Sequence, residues 1–514
     1  MGIAQLKAVL PRELLASVVV FLVALPLCMG IAIASGMPPA KGLITGIIGG
    51  LVVGWLAGSP LQVSGPAAGL AVLVFEVVRE HGMAMLGPIL LLAGVLQILA
   101  GRFKLGCWFR VTAPAVVYGM LAGIGVLIVL SQMHVMFDGG PKPSGLDNLV
   151  GFPSTLLQAV GPGSGMQAGV LGLGTILVMW VWEKWRPQSL RFVPGALLGV
   201  GLATFAAIAL ALQVKRVEVP DNMAEAIDWL RPADLMNLAD PAILIAAFAV
   251  AFIASAETLL SAAAVDRMHD GQRSDFDKEL SAQGVGNVLC GLVGALPMTG
   301  VIVRSSANVQ AGAKTRLSTM FHGLWLLAFV LLLSSVLQSI PVASLAGVLV
   351  YTGLKLVDLK AFRGLGRYGR MPMFTYAATA AAIIFTDLLT GVLVGFGLTL
   401  VKLAFKASRL KINLVPLEAE GEMELRMVGS ATFLKVPALT KVLGTVPAGS
   451  TVHVPLSNLS YIDHSCLELL EEWGRANAAQ GSRLIIESRG LKRRLEGRLT
   501  TTSGVGSAVA LAGK

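Results

Sequence analysis

The chain has 514 residues, of which 55% are hydrophobic and 14% charged, with a formal net charge of +10. Soluble domains carry about 25% charged residues, so this composition describes a membrane protein with a polar remainder. The excess of cations does not point to nucleic acid, because the cations flank apolar runs, where they set orientation in a bilayer.

A span needs about 20 apolar residues, and such runs between residues 14 and 405 make about fourteen segments when two half-length ones are counted. The first, 14–34, contains Pro26, which removes a helical hydrogen bond and opens a kink. Lys7 and Arg12 before this run imitate a secretory signal, but the run is too long for one and leads directly into further spans, so a retained helix is expected. The second run, 42–56, carries Gly46, Gly49, Gly50 and Gly54, small residues that let helices approach closely. It is followed by Ser64-Gly65-Pro66-Ala67-Ala68-Gly69, a Gly/Pro break before a short apolar segment. His81, beyond that segment, reads as a solvated loop residue.

A fourth helix ends at Ala100 and a fifth spans 114–130. Residues 132–167 then read as a long loop rich in glycine and proline, and 215–240 as a long loop of mixed charge. With the N-terminus in the cytoplasm, the short basic loops at 102–110, 184–191, 267–278, 314–316 and 355–370 all fall inside, which puts the C-terminus there too. The eighth run, 243–264, has Glu257 as its lone charge, and a carboxylate within a span faces a cavity or a partner.

After a ninth helix through 284–295 comes Leu296-Pro297-Met298-Thr299-Gly300-Val301-Ile302-Val303-Arg304. Proline and glycine at membrane depth are tolerated where protein or a wet cavity covers them, so a helix is expected to begin here, halfway across. Its free N–H groups and positive dipole end suit an anion, and Arg304 adds a full charge of the same sign. Interrupted segments in corresponding positions of two halves point to a transporter's substrate site. The same sequence distance separates Pro26 from Pro66 and Glu257 from Pro297, as repeats would require. The competing reading makes both stretches loops between ordinary helices. Glu257 is read as the coupling acid or else as a permanent ion-pair partner of Arg304.

Four more runs, at 318–337, 342–356, 374–385 and 388–405, complete the membrane part, with Asp387 read as a turn residue. Cys28, Cys107, Cys290 and Cys466 lie at no metal or redox spacing and read as packing residues or free thiols. Membrane-length apolar runs stop at residues 406–411. Beyond them strands at 422–427, 451–456 and 483–486 with a helix at 466–479 make a small α/β domain. The expected division is therefore 1–411 for the membrane part, 412–499 for the α/β domain, and 500–514 for a disordered tail.

In this order, Ala24-Leu25-Pro26, Ser64-Gly65-Pro66, Glu257-Thr258-Leu259-Leu260-Ser261, Gln283-Gly284-Val285-Gly286-Asn287 and the 297–308 stretch resemble the sulfate permease (SulP) family of anion transporters. Tyr461-Ile462-Asp463-His464-Ser465-Cys466-Leu467 is similar to the STAS domain that follows the last helix in that family. The resemblance implies a seven-plus-seven inverted repeat with two half-helices, often in a homodimer, and a cytosolic STAS domain. It implies a substrate between the two half-helix N-termini, near residues 67–69 and 300–302, and a coupling or structural carboxylate at Glu257; the candidate substrate-binding residues are Pro66, Ala67, Ala68, Gly69, Thr299, Gly300, Val301 and Arg304, with Glu257 and Ser261 as the coupling residues.

Bicarbonate-transporting relatives tend to have a hydroxyl residue where this chain has Ala67 and an aspartate where it has Glu257. That departure weighs against sodium-coupled bicarbonate uptake, and the proton is favoured as coupling ion. Where STAS-type antagonists have Asp-Ser-Ser, His464 takes the middle place. Ser465 is therefore either a phosphorylation site or a serine capping the helix start, and Lys492-Arg493-Arg494 either lies on anionic lipid or is a solvated face. The expected protein is not an enzyme, holds no cofactor or metal, and sits in the inner (plasma) membrane. Its expected activity is secondary active transport of a small anion of the sulfate, bicarbonate or dicarboxylate class, by proton-coupled symport or exchange with alternating access, and its expected partners are that anion, membrane lipid, a second copy and a cytosolic protein met through the STAS domain. Nucleobase transport on the same fold, or a regulatory protein merely anchored in the membrane, are the alternatives.

Overall fold

The computed structural model describes residues 3–106, 114–142, 144–161, 163–187, 190, 193–220, 223–407, 409–487 and 509–511. Cys107 and the Lys492-Arg493-Arg494 run lie outside these residues. The chain forms two units, Met1–Phe396 and Gly397–Lys514.

The first unit opens with α1 (Ile3–Ala34), which contains Pro26, and α2 (Pro39–Leu56), which loosens into a π-helical stretch at Gly49–Val53. β1 (Ser64–Pro66), α3 (Ala68–His81) and α4 (Met83–Arg102) follow. After α5 (Pro114–Met136), α6 (Gly145–Val160), α7 (Gly165–Trp185) and α8 (Gly195–Ala209), the same order returns. It is α9 (Pro241–Asp266), α10 (Phe276–Leu292), β2 (Met298–Gly300), α11 (Ile302–Gln310) and α12 (Leu317–Leu332). A short helical stretch at Ser334–Gln338 leads to α13 (Val342–Leu356), α14 (Leu359–Leu365), α15 (Arg370–Phe385) and α16 (Leu388–Ala407).

Eight of the described helices are long and apolar enough to cross a membrane. α11 has nine residues, about 13 Å at 1.5 Å per residue, under half of a hydrocarbon core. The Gly/Pro breaks are thus short strands feeding short helices, and not simple loops.

One prediction fails within 132–167. That stretch holds the end of α5, all of α6 and the start of α7. Ser144 caps α6 by accepting from Asp147 N (3.0 Å). Glycine and proline content disguised a helix whose Leu149, Val150 and Leu157 are exposed while Asn148 and Thr155 are buried. Asp387, by contrast, is the turn residue expected: it accepts from Thr390 N (2.8 Å) and Thr390 Oγ1 (2.6 Å) at the start of α16.

The helices of this unit pack in two groups. α1, α2, α4, α9, α10 and α12 contact one another, as do α5, α7, α8, α13 and α15, and α1 meets α13 between them. The tightest pairing, α4 on α10, depends on glycine. A Cβ at Gly94 would lie 2.6 Å from Gly284 O and one at Gly291 would lie 2.7 Å from Gly87 O, so only a bare backbone permits this approach.

The second unit contains β3 (Leu410–Pro416), β4 (Glu422–Ala431), α17 (Val436–Leu443), β5 (Thr451–Pro455), β6 (Leu459–Ile462), α18 (His464–Asn477), β7 (Arg483–Glu487) and β8 (Val509–Leu511). The sheet order is β3-β4-β5-β7-β8, with β6 also on β4; β3 is antiparallel to β4 and the other pairs are parallel. Alternation buries Leu425, Met427, Val452, Val454, Leu484 and Ile486 against Leu439, Leu443, Cys466 and Leu470 of the helices. α18 is capped by Asp463, which accepts from Cys466 N (3.0 Å) and from Phe433 N. The capping role left open for Ser465 is therefore already filled two residues earlier.

Candidate functional site

The two broken segments are hydrogen-bonded to each other. β1 and β2 pair antiparallel, Ser64 opposite Gly300, Gly65 opposite Thr299 and Pro66 opposite Met298. Val301 N donates to Val63 O (2.9 Å), Val63 N to Ser305 Oγ (2.9 Å), and Asn308 Nδ2 to Leu61 O (3.0 Å). α3 and α11 leave opposite ends of this ribbon, so both helix N-termini converge on it. Neither has a side-chain cap. The first N–H groups of a helix have no intrahelical partner, and together with the dipoles they make the ribbon's surroundings attractive to an anion. Of the residues expected here, Pro66, Ala67, Gly69, Thr299 and Gly300 are buried, and Ala68 and Val301 half-buried.

Amide side chains fix the ribbon. Asn287 of α10 accepts from Met298 N (2.8 Å) and donates to Met298 O (3.2 Å) and to Gln97 Oε1 of α4 (2.7 Å), while Gln97 Nε2 donates to Ser255 Oγ of α9 (3.1 Å). Gln283 Nε2 donates to Ser64 Oγ (2.5 Å) and to Glu279 Oε1 (3.0 Å), and Glu279 Oε2 accepts from Ser59 N (2.9 Å). Thr45 Oγ1 accepts from Leu296 N (2.9 Å). None of these residues was among the expected site residues, although Gln283 and Asn287 stood in a motif that carried the family resemblance.

Gly300 does not play the part expected of it. Its N–H already donates to Thr258 Oγ1 (3.1 Å), and a Cβ there would overlap the Gln62 amide, which itself donates to Thr258 O (3.1 Å). Its smallness admits Gln62, not a substrate. Gly69 faces the coupling candidate instead: a Cβ on it would lie 2.8 and 2.9 Å from the two Glu257 carboxylate oxygens.

Glu257 is half-buried, with Oε2 enclosed and unpartnered, and Ser261 lies buried one turn further along α9. Arg304 is fully buried; its Nη2 reaches Pro66 O at 3.5 Å, and its Nε and Nη1 have no partner. A Cβ at Gly65 would strike Nη1, which places the guanidinium against β1, where Cys28 of α1 and His322 of α12 also border it. The Glu257–Arg304 ion pair allowed by the sequence is not formed. One turn into α11, Arg304 turns toward α1 and α12, whereas α9 presents Glu257 to α3.

A cavity of about 550 Å³ opens elsewhere, at the far end of α3, among Glu76, Arg79, Lys142, Ala246 and Asp387. Among the described residues no group of three or more His, Cys, Asp or Glu could hold a metal ion.

A multi-pass helical protein that twice breaks a helix and converges the resulting N-termini on one ribbon is, as a class, a membrane transporter. Residues 10–379 match the model of the sulfate permease family, and the chain belongs to that family. Among curated relatives, the "Putative sulfate transporter YvdB" of Bacillus subtilis is 31% identical over 76% of this chain and 73% of its own. The bicarbonate transporter BicA of Picosynechococcus is 25% identical over 79% of this chain and 72% of its own. The solved transmembrane domain of a cyanobacterial BicA superposes with a TM-score of 0.64 at 25% identity, over 74% of this chain and 97% of that one. The murine Solute Carrier 26 family member A9 shares the fold with a TM-score of 0.78 at 16% identity, over 98% of this chain and 90% of that one. These relatives are transporters and not enzymes.

Proposed function

We propose that the protein moves a small inorganic anion of the sulfate or bicarbonate class across the inner membrane by alternating access, with entry coupled to protons. One observation carries the reading: two uncapped helix N-termini converge on a ribbon against which a fully buried Arg304 lies without an acidic partner. An unpaired buried cation is strongly unfavourable, and an anion at the ribbon offsets it. The first-turn N–H groups following Ala67 and Val301 contact the anion, and Ala68 leaves room for it.

Glu257, close to Gly69 but without a compensating cation, takes a proton from one side and releases it on the other. The second unit serves as a STAS domain on the cytoplasmic side, open to a partner protein and to modification at Ser465, in a homodimer bordered by lipid. A merely anchored regulator would need neither the ribbon nor its amide supports.

The test is uptake of radiolabelled sulfate, bicarbonate and fumarate into proteoliposomes under imposed proton or sodium gradients. Accumulation of sulfate or bicarbonate with a proton gradient is expected. Accumulation of neither, or of both equally with no gradient, would refute the reading.

A further inference from the structure

The linker joining the two halves, between α8 and α9, is anchored at two points. Near its start, Val217 N donates to Ile340 O (2.9 Å) and Val342 N to Lys215 O (2.9 Å), Arg216 bridges Pro341, and Gln338 Nε2 donates to Val219 O (2.9 Å). These contacts bury Val217 and Val219 against the entry to α13, a member of the second helix group. Further on, Asp228 N donates to Val293 O (3.2 Å) and Leu230 N to Leu292 O (2.9 Å), at the end of α10. There the Lys41 ammonium of α2 meets Asp228 Oδ2 at 2.6 Å. α2 and α10 belong to the first group.

The two anchors differ in chemistry. Both include backbone hydrogen bonds, and the first closes around buried valines. The second adds one ion pair whose lysine side chain is 4% exposed and whose aspartate is 79% exposed. Removing the aspartate charge would leave the Lys41 ammonium buried without its counter-ion, so the second anchor depends on the charge of Asp228.

We propose that residues 215–219 and 228–230 form a clasp between the two helix groups, with Lys41–Asp228 as its charge-dependent end. When one group moves past the other, the chain between the anchors must lengthen or one anchor must let go, and release of the second separates the ion pair. The clasp therefore biases the equilibrium toward the arrangement described here by the worth of that pair.

The inference shares with the transport reading only the premise that the two groups move, so its test reads that motion without substrate. Leu349 of α13 is 1% exposed and packs where a Cβ on Gly30 of α1 would touch it at 3.2 Å, so it is sealed between the groups. In a Leu349→Cys background, N-ethylmaleimide modification at that position, read by peptide mass spectrometry, follows the population of arrangements that expose it. Adding Asp228→Asn should raise the rate at least about twofold, because it leaves the buried Lys41 ammonium without its counter-ion. Asp228→Glu, which keeps the charge, should leave it near the parent rate.

An unchanged rate with Asp228→Asn, or an equal rise with Asp228→Glu, would overturn the clasp. Failure of sulfate uptake in the same preparations would bear on the transported anion and leave the clasp standing.

Discussion

Asn287 is the residue on which the ribbon's position most depends. It is fully buried, and Asn287→Leu keeps approximate volume while deleting every hydrogen bond the side chain makes. Three buried groups then lose a partner, the Met298 N–H, the Met298 carbonyl and the Gln97 Oε1. At about 1–3 kcal/mol for each stranded polar group, the expected loss is about 3–9 kcal/mol. Gln97→Leu alone should also destabilise, because it removes the donor to Ser255 Oγ as well as the acceptor for Asn287. In the double variant neither amide strands the other, so its cost should fall below the sum by about 0.5–3 kcal/mol. Denaturant unfolding in mixed micelles gives the four corners of this cycle. Sulfate uptake by the surviving fraction should show a raised KM, since the proposed anion site is built around the ribbon that β2 completes. An Asn287→Leu protein within about 0.5 kcal/mol of wild type, or a strictly additive cycle, would show that the ribbon does not depend on this contact.

Glu257→Gln should abolish accumulation driven by a pH gradient while leaving anion exchange measurable in counterflow; persistent concentration of anion would remove Glu257 from the coupling role. Arg304→Gln should weaken sulfate more than bicarbonate, because a divalent ligand loses more from a missing positive charge, and a competition assay that showed equal losses would assign Arg304 a purely structural part. Gly69→Ala should insert and melt within about 1 kcal/mol of wild type, since the clashing Glu257 carboxylate is the far end of a flexible side chain, but should lose most proton-driven uptake. In the second unit, burial and the neighbouring Asp463 push the Cys466 thiol up to about 12. A raised thiol stays protonated below that value, so iodoacetamide labelling of the folded chain should not rise between pH 7 and 9, whereas the denatured chain should follow ordinary thiol ionisation.

The breaks at Pro66 and Pro297 were legible because they violate the rule that backbone in lipid must satisfy itself. The repeated order around them was signalled by the equal spacings from Pro26 to Pro66 and from Glu257 to Pro297. What sequence could not supply was phase and distance. Whether Arg304 meets Glu257 depends on how α9 and α11 are rotated, and an error of one residue turns a side chain by 100° on a helix. Gly300 was expected in the substrate site, but Gln62, which fills the space beside it, is remote in sequence, and that approach is a tertiary fact. Asn287 and Gln283 were visible as motif residues, but their partners, Gln97 and Ser64, come from the other half of the chain. α6 was hidden by Gly145, Gly151 and Pro153, residues a helix of modest burial can tolerate when its surroundings support it.

The strand pair also has a consequence for how the protein is made. β1 emerges from the ribosome early, whereas β2, its sole strand partner, belongs to the second half. At about 5–20 residues per second, the wait is on the order of ten to fifty seconds. For that time the Ser64–Pro66 backbone has nothing to pair with, and lipid offers it no hydrogen bonds. The first half must therefore be sheltered by water or by the insertion machinery until the second arrives, and truncated chains ending before Met298 should be degraded rather than accumulate as stable half-proteins.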